Sequence, residues 1–190
     1  MSRKFYIADW HYDHANVIAY DNRPFKTVEE MNKVLVENWN NAVSKDDTVY
    51  ILGDMFWCKD DQAIEILDQL NGHKILVCGN HDSDSSKFLK KFDKVADYLE
   101  IKDEGKHVVL CHYPIPCFKN HFKGWYYLYG HVHNSFEANM MEHQKYLMEE
   151  LYLKPCEMFN VGAMIPYMNY MPRTLDDIIT LSKNYKDLVV

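Results

Sequence analysis

The sequence predicts a mixed α/β domain, and two patterns along the chain support this fold class. In the first half, short apolar runs typical of strands alternate with segments of helical periodicity, which favours parallel strands joined by crossover helices. In the second half, two apolar runs flank Asp103-Glu104-Gly105-Lys106, which is typical of a hairpin and indicates an antiparallel part. Because no linker separates these parts, we expect residues 1–190 to form a single domain.

The first half is expected to contain three strands and three helices. The clearest helix begins at Thr27, because Thr27 and Glu30 have capping-box spacing and apolar residues follow at helical period. The other two helices are predicted over residues 60–70, stopped by Asn71-Gly72, and over residues 83–92. Apolar runs predict the strands, at residues 3–8, 47–52 and 74–78.

The second half is expected to contain four strands and two helices. A Met-rich helix over residues 137–151 is interpreted as part of the core or as a helix that covers it. Thr174 is predicted to cap a last helix that ends near Tyr185. The strands, including the two of the hairpin, are predicted at residues 98–102, 107–111, 125–129 and 157–161.

Composition and charge favour a folded cytoplasmic protein that does not bind polyanions. Hydrophobic residues make up 47% of the chain, and a net charge of −7 argues against a stable nucleic-acid complex or a membrane surface as partner. The N-terminus lacks the apolar stretch of about 7–15 residues that a signal peptide needs. The cysteines are odd in number and form no CxxC pair, which predicts reduced structural thiols; they are Cys58, Cys78, Cys111, Cys117 and Cys156.

Polar clusters follow five of the predicted strands, at the point where each strand ends. In open α/β sheets functional groups gather beyond the carboxyl ends of the strands. The side chains are carboxylates, imidazoles and one amide, a donor set that suits Mn, Fe, Zn, Co or Ni. Seven donors exceed what one ion needs if water also binds, so two ions that share Asp54 are predicted. The donors are Asp9, His11, Asp54, Asn80, His112, His131 and His133.

The order of these clusters resembles the five sequence motifs of the calcineurin-like metallophosphoesterase superfamily. The motifs are DxH at 9–11, GD at 53–54, GNHD at 79–82, H at 112 and GHxH at 130–133. The resemblance covers about residues 4–133, and more loosely NVG at 160–162. The stretch DxHxxHxNVI with a following RPF is similar to small single-domain bacterial and phage members. The resemblance implies two mixed β-sheets packed as a sandwich and flanked by helices, an αββα architecture.

The resemblance also implies a role for each motif residue. It implies two divalent transition-metal ions, with Mn favoured and Fe, Zn, Ni or Co as alternatives. It implies hydrolysis of a phosphate mono- or diester by a hydroxide that bridges the ions, with His81 as the general acid. The first ion would be held by Asp9, His11, Asp54 and His133. The second would be held by Asp54, Asn80, His112 and His131.

Three further residues are candidates for substrate binding. Arg23 follows the first motif, and a guanidinium suits a phosphate group, although a structural or surface ion pair is the alternative. His14 is expected to face the substrate or to support a ligand, against the alternative of a packed structural imidazole. Asn160 is a weaker candidate for the rim of the site.

Several neighbouring residues allow both a functional and a structural interpretation. Asp82 could orient His81 or cap the following helix. Phe56 and Trp57 could stack on a base or pack in the core, and Tyr113 could pack or face the substrate. Four histidines match no motif and are predicted to lie on the surface, namely His73, His107, His121 and His143.

The function predicted from the sequence is hydrolysis of a small phosphorylated or nucleotide-like substrate. A phosphoprotein is less expected, because Met55 follows the GD motif where the protein phosphatases of the superfamily continue with Val-Asp-Arg-Gly. Two alternatives are a non-catalytic metal-binding scaffold or partner-binding module on the same fold, and a small nuclease.

Overall fold

The structure is a computed structural model that describes residues 2–186, with side chains described as far as Lys183, and it contains two four-stranded sheets. In the first sheet the strands lie in chain order and every neighbouring pair is parallel. Connections that contain helices join these strands, as parallel pairing requires. The strands are β1 (Lys4–Ile7), β2 (Thr48–Ile51), β3 (His73–Val77) and β4 (Lys94–Ala96).

The second sheet combines one antiparallel pair with two parallel pairs, again in chain order. Its hairpin turns through Glu104 and Gly105, whose φ angles of 46° and 82° suit the tight turn that matches the twist of the strands. The strands are β5 (Tyr98–Asp103), β6 (Lys106–Cys111), β7 (Tyr126–Tyr129) and β8 (Met158–Asn160).

Six helices of the described chain flank the sheets. In α2, Thr27 caps the first turn by accepting the Glu30 N–H at 3.2 Å. Met31, Leu35 and Trp39 then bury one face of this helix at intervals of four residues. The helices are α1 (Ala15–Tyr20), α2 (Val28–Ala42), α3 (Asp60–Leu67), α4 (Ser86–Leu89), α5 (Phe136–Tyr152) and α6 (Leu175–Lys186).

A hydrophobic core lies between the two sheets. Buried side chains of the first sheet, such as Ile51, belong to the same cluster as Leu110 and Leu128 of the second sheet. The chain after β8 also reaches β1, because the Ala8 N–H donates to the Val161 carbonyl oxygen at 2.8 Å. This packing confirms the predicted sandwich of two sheets flanked by helices.

The predicted strands all appear, with ends that shift by at most one residue, but the sheets differ from prediction in one respect. The first sheet is parallel throughout rather than mixed, because the hairpin lies wholly in the second sheet. Three short elements were not predicted: β4 has three residues, α1 has six, and a 3₁₀ helix spans His121–Lys123.

Two helices are shorter than predicted. α3 ends at Leu67, because the N–H groups of Gln69 and Leu70 bond to carbonyls three residues back instead of four. α4 begins after Ser85, which caps it by accepting the Phe88 N–H, and it contains only four residues. The prediction of a helix over residues 83–92 is therefore wrong in both boundaries.

α5 covers the outer face of the second sheet. Its buried side chains are Lys145 and Met148, and Met148 packs in a cluster with residues of β6, β7 and β8. Among residues 2–186 no helix is long and apolar enough to cross a membrane. The cysteines are unpaired, and Cys111 and Cys156 are buried while Cys117 is exposed.

Candidate metal centre

The strand ends bring the predicted ligands to one edge of the sandwich. β1 and β2 are paired in parallel, and beyond them the Asp9 N–H donates to the Gly53 carbonyl at 3.1 Å and the His11 N–H to the Asp54 carbonyl at 3.0 Å. Across the two sheets, both carboxylate oxygens of Asp9 lie 3.0 Å from the His131 N–H, which they accept. Backbone hydrogen bonds therefore fix the relative positions of these loops.

Two groups of side chains lie close enough to share a metal ion. Within each group the donor atoms all lie within 4.8 Å of one another. The first group is Asp9, His11 and His133, and the second is Asp9, Asp54 and His112. Asp54 reaches both groups, because its Oδ2 lies 3.9 Å from His11 Nε2 and 3.5 Å from His112 Nε2.

The spacing of the donor atoms fits a small divalent ion. Donors about 2.1 Å from an ion, in tetrahedral or octahedral geometry, lie about 3.0–3.4 Å from one another. The Nε2 atoms of His11 and His133 are 3.1 Å apart. In the other half of the site, Asn80 Oδ1 lies 3.1 Å from His112 Nε2 and 3.0 Å from His131 Nδ1.

The surroundings of His112 determine which of its nitrogens can bind a metal. Its Nδ1 lies 2.8 Å from the Leu52 carbonyl oxygen and donates to it, so the lone pair is on Nε2 and faces Asp54 and Asn80. Three acceptor atoms that face one another are stabilised by a cation between them. Tyr113, 44% exposed, packs edge-on against the His112 ring.

Burial controls the charge of the donors. It raises the pKa of the Asp9 carboxyl to about 6, although His133 and His112 lower it. Burial, together with the neighbouring His133, lowers the pKa of His11 to about 2, so this imidazole is neutral. Neutral imidazoles beside buried carboxylates are the protonation state that binds a divalent cation.

Five of the seven predicted ligands have backbone angles in the left-handed region, which residues other than glycine rarely adopt. Each such angle costs on the order of 1 kcal/mol, and strain of this kind clusters at functional sites. The φ angles are 50° for Asp9, 49° for His11, 54° for Asp54, 70° for His131 and 48° for His133.

Asp21 is a part of the site that the sequence analysis missed. Its carboxylate accepts a hydrogen bond from His133 Nδ1 at 2.7 Å and pairs with Arg23 at 2.8 Å. Burial lowers the pKa of His133, but the bond to Asp21 and the nearby carboxylates outweigh this, and the net shift is upward. The contact joins residues 112 positions apart in the chain, so no local sequence pattern predicts it.

Arg23 is buried beneath the first motif. Its side chain is fully buried, pairs with Asp21, and donates to the carbonyl oxygens of Trp10 at 2.9 Å and Asp9 at 3.0 Å. These contacts correspond to the alternative of a structural ion pair, in which the guanidinium holds the first motif in its strained conformation. A phosphate contact of Arg23 stays a prediction.

Asn160 is a buried residue that supports the loop of His133. Its amide donates to the His133 carbonyl at 2.9 Å and accepts the Gly162 N–H at 2.9 Å. The residue is 6% exposed. Asn160 therefore fixes the loop that presents His133, and a role at the rim of the site stays a prediction.

Asp82 joins two of the motif loops. Its carboxylate accepts the N–H groups of Gly79, Asp54 and Met55 at 2.8, 3.0 and 3.1 Å. Burial raises the pKa of this carboxyl, and the backbone hydrogen bonds counteract the rise. Neither predicted alternative applies, since the carboxylate bonds to these backbone groups rather than to the His81 imidazole, and Ser85 caps α4.

A cleft of about 390 Å³ opens beside the first group of donors. The exposed His81 lies at its edge, where the His81 backbone N–H donates to Asp54 Oδ1 at 2.9 Å. His14 lines the cleft and stacks on Trp57 with ring centroids 4.0 Å apart, whereas Phe56 is buried in the core. The residues that line the cleft are His11, His14, Asn16, Val17, Tyr20, Trp57, His81 and His133.

Four histidines are predicted to lie on the surface because they match no motif. His73 and His143 are exposed, as predicted. His107 and His121 are half-buried, because His107 stacks on Trp125 at 4.3 Å and the Nδ1 of His121 donates to a backbone carbonyl. The prediction of a surface position is thus only partly right for these two.

Replacing Asp21 with asparagine is expected to weaken metal binding about 10- to 100-fold, because the carboxylate that orients His133 Nε2 is lost. Isothermal titration with Mn²⁺ measures the change, and a thermal melt of the metal-free variant checks folding. Asp93→Asn is a matched control, since Asp93 contacts His73 at 3.1 Å on the exposed surface. A variant at position 21 with wild-type affinity would show that the contact does not orient a ligand.

The fold and the site together define an α/β sandwich protein with a candidate metal centre of aspartate and histidine side chains. The sequence model of the calcineurin-like phosphoesterase family matches residues 5–155. The chain therefore belongs to this family, which confirms the resemblance seen in the motifs.

Individual relatives support the same assignment. An uncharacterised protein of Methanocaldococcus jannaschii is 38% identical over 187 residues, which are 97% of this chain and 94% of the relative. The gene 66 protein of Mycobacterium phage L5 is 31% identical over 134 residues, 60% of this chain and 64% of that protein. The crystal structure of a protein of unknown function from Aquifex aeolicus is similar with a TM-score of 0.70 and 29% identity, over 95% of this chain and 100% of that one.

Proposed function

We propose that this protein is a hydrolase that cleaves a phosphate mono- or diester with the help of two divalent metal ions. The observation that supports this most is the position of Asp54, whose Oδ2 faces imidazoles of both donor groups, at 3.9 Å in His11 and 3.5 Å in His112. A single carboxylate between two sets of donors is the arrangement expected of a ligand shared by two ions.

The residues that would hold the ions fall into two sets. Bound divalent ions supply Lewis acidity, which neutralises phosphoryl oxygens and makes water a nucleophile near neutral pH. Mn is the first ion to test, since carboxylate, amide and imidazole donors suit it, with Fe, Zn, Co and Ni as alternatives. One set is Asp9, His11, Asp54 and His133, and the other is Asp54, Asn80, His112 and His131.

His81 is the residue proposed to protonate the leaving oxygen. Its imidazole is exposed at the mouth of the cleft, and its backbone is held next to Asp54 by the 2.9 Å hydrogen bond. A ring N–H at this position can donate its proton to an ester oxygen that departs into the cleft, which general acid catalysis requires. Arg23, Asn160 and Asp82 would contribute by holding the loops.

The test uses protein stripped of metal with a chelator and then reloaded with each candidate ion. We expect two ions per chain by elemental analysis and hydrolysis of bis(p-nitrophenyl) phosphate or p-nitrophenyl phosphate that depends on the ion. A protein that binds its metals but cleaves neither ester would favour the scaffold alternative. Cleavage of single-stranded oligonucleotides that falls steeply with salt would favour the nuclease.

His81→Ala is expected to lower turnover of an ester with a poor leaving group about 100- to 10,000-fold and to leave the metal content unchanged. The defect should shrink for p-nitrophenyl esters, because p-nitrophenolate departs without protonation. Comparison of alkyl and p-nitrophenyl esters measures this dependence. An equal defect for both leaving groups would mean that His81 is not the proton donor.

A further inference from the structure

Two aromatic side chains stand exposed beside the metal centre. Trp57 is 46% exposed and Tyr20 is 75% exposed, and both line the cleft that contains His81. With His14, which contacts both rings, they form what we call the aromatic wall. Exposed apolar surface next to a polar site is typical of a ligand-binding surface.

The central ring of this wall is held in a fixed position. The backbone N–H of Trp57 donates to the Tyr12 carbonyl at 2.8 Å, and the preceding Phe56 is buried in the core. The indole stacks on His14 at 4.0 Å with an interplanar angle of 10°, and the His81 ring lies against it at 4.8 Å. Because the ring is already ordered, a ligand that stacks on it loses little additional entropy.

Charge gives the cleft a second distinguishing property. Of the described residues that line it, none is a lysine or arginine. The nearby Arg23 is buried and fully paired. Apart from its histidines, the cleft therefore offers flat apolar surface and no lysine or arginine side chain, which suits a planar ring better than a second phosphate.

We propose that the aromatic wall of His14, Tyr20 and Trp57 binds a planar aromatic group of the substrate, either a nucleobase or an aryl ring. This inference rests on the proposed function and narrows its substrate class to phosphate esters that contain such a group. Since Trp57 contacts His81, the proposed proton donor, the ring stacks on the leaving-group side of the phosphorus.

Adenosine 5′-monophosphate and ribose 5-phosphate separate the contribution of the ring from that of the phosphate, because they differ only in the base. Competition with the hydrolysis of bis(p-nitrophenyl) phosphate by metal-loaded protein is expected to give the adenosine compound an inhibition constant about 5- to 100-fold lower, the range that base stacking on an aromatic residue supplies. Phenyl phosphate and ethyl phosphate form the corresponding pair for an aryl ring.

Trp57→Ala is expected to bring the affinity ratio of each pair close to one, while ribose 5-phosphate still binds within about two-fold of wild type. Trp57→Phe retains a ring and should keep most of the ratio, which separates loss of stacking from misfolding. Trp125→Ala is the matched control, because Trp125 also stacks on a histidine, at 4.3 Å and 5°, but at the opposite end of β6 and β7. It should keep the wild-type ratio.

Equal affinities within both pairs in the wild type, or an unchanged ratio in Trp57→Ala, would overturn this inference. If none of the phosphates binds and no ester is hydrolysed, the proposed function fails as well. Ester hydrolysis without any preference for a ring would leave the proposed function standing and remove only the aromatic wall.

Discussion

Replacing Asp54 with alanine should abolish metal-dependent hydrolysis and reduce the bound metal from two ions per chain to at most one. The reason is that its Oδ2 lies between the imidazoles of both halves of the site, 3.9 Å from His11 Nε2 and 3.5 Å from His112 Nε2, so its loss removes a donor from each half. We expect turnover to fall at least about 1,000-fold, equivalent to roughly 4 kcal/mol of transition-state stabilisation. Elemental analysis and ester hydrolysis measure the two effects.

Asp46→Ala is the matched control for this substitution. Asp46 is exposed at the end of β2 opposite to Asp54, so its loss should change neither metal content nor turnover. An Asp54→Ala protein that still binds two ions would contradict a shared ligand. A protein that binds fewer ions and hydrolyses esters at the wild-type rate would contradict catalysis by the centre.

Gly53→Ala should remove metal binding without any change to a ligand. Gly53 has a φ angle of +81°, and a Cβ there would lie 2.4 Å from His112 Nδ1 and 2.6 Å from the Gly79 Cα. The backbone at Gly79 cannot move away without displacing the neighbouring candidate ligand Asn80. The His112 imidazole would therefore be pushed out of the metal centre. Titration with Mn²⁺ should show an affinity reduced by more than about 100-fold.

Gly124→Ala separates backbone strain from this steric effect. Gly124 has a similar φ angle of +77°, but a Cβ there would meet nothing within 4 Å. The control should lose about 1–2 kcal/mol in free energy of unfolding and bind metal normally. Denaturant titration of both variants gives the stability, and equal metal affinity in the two would show that the close approach at Gly53 is not needed for the site.

Much of the fold follows from local patterns in the chain. Most apolar side chains of the predicted strands are buried, and Thr27 caps α2 as its spacing indicates. The patterns fail for β4 and α4, because elements of three or four residues are too short to show a hydrophobic period. They also fail at the end of α3, where the last hydrogen bonds reach back three residues instead of four and the α-helix ends early. The assignment of residues 1–190 to one domain stays a prediction.

Local patterns also predict only part of the site. Motifs that follow strand ends identify the candidate ligands, because parallel strands bring their carboxyl ends to one edge of the sheet, and this does not depend on the conformation of the loops. Their individual roles as metal ligands stay predictions. Phe56 and Trp57 show what spacing leaves undecided, since one is buried in the core and its neighbour is exposed in the cleft.

The sequence by itself determined the family, the alternation of strands and helices, and which donors meet at the strand ends. The tertiary structure alone decided the functions of the supporting residues: Asp21 orients His133, Arg23 is buried beneath the first motif, and Asp82 joins two loops. Strand and helix patterns reflect local burial and backbone hydrogen bonding. Contacts between loops depend on how the two sheets pack, which brings together residues as far apart in the chain as Asp21 and His133.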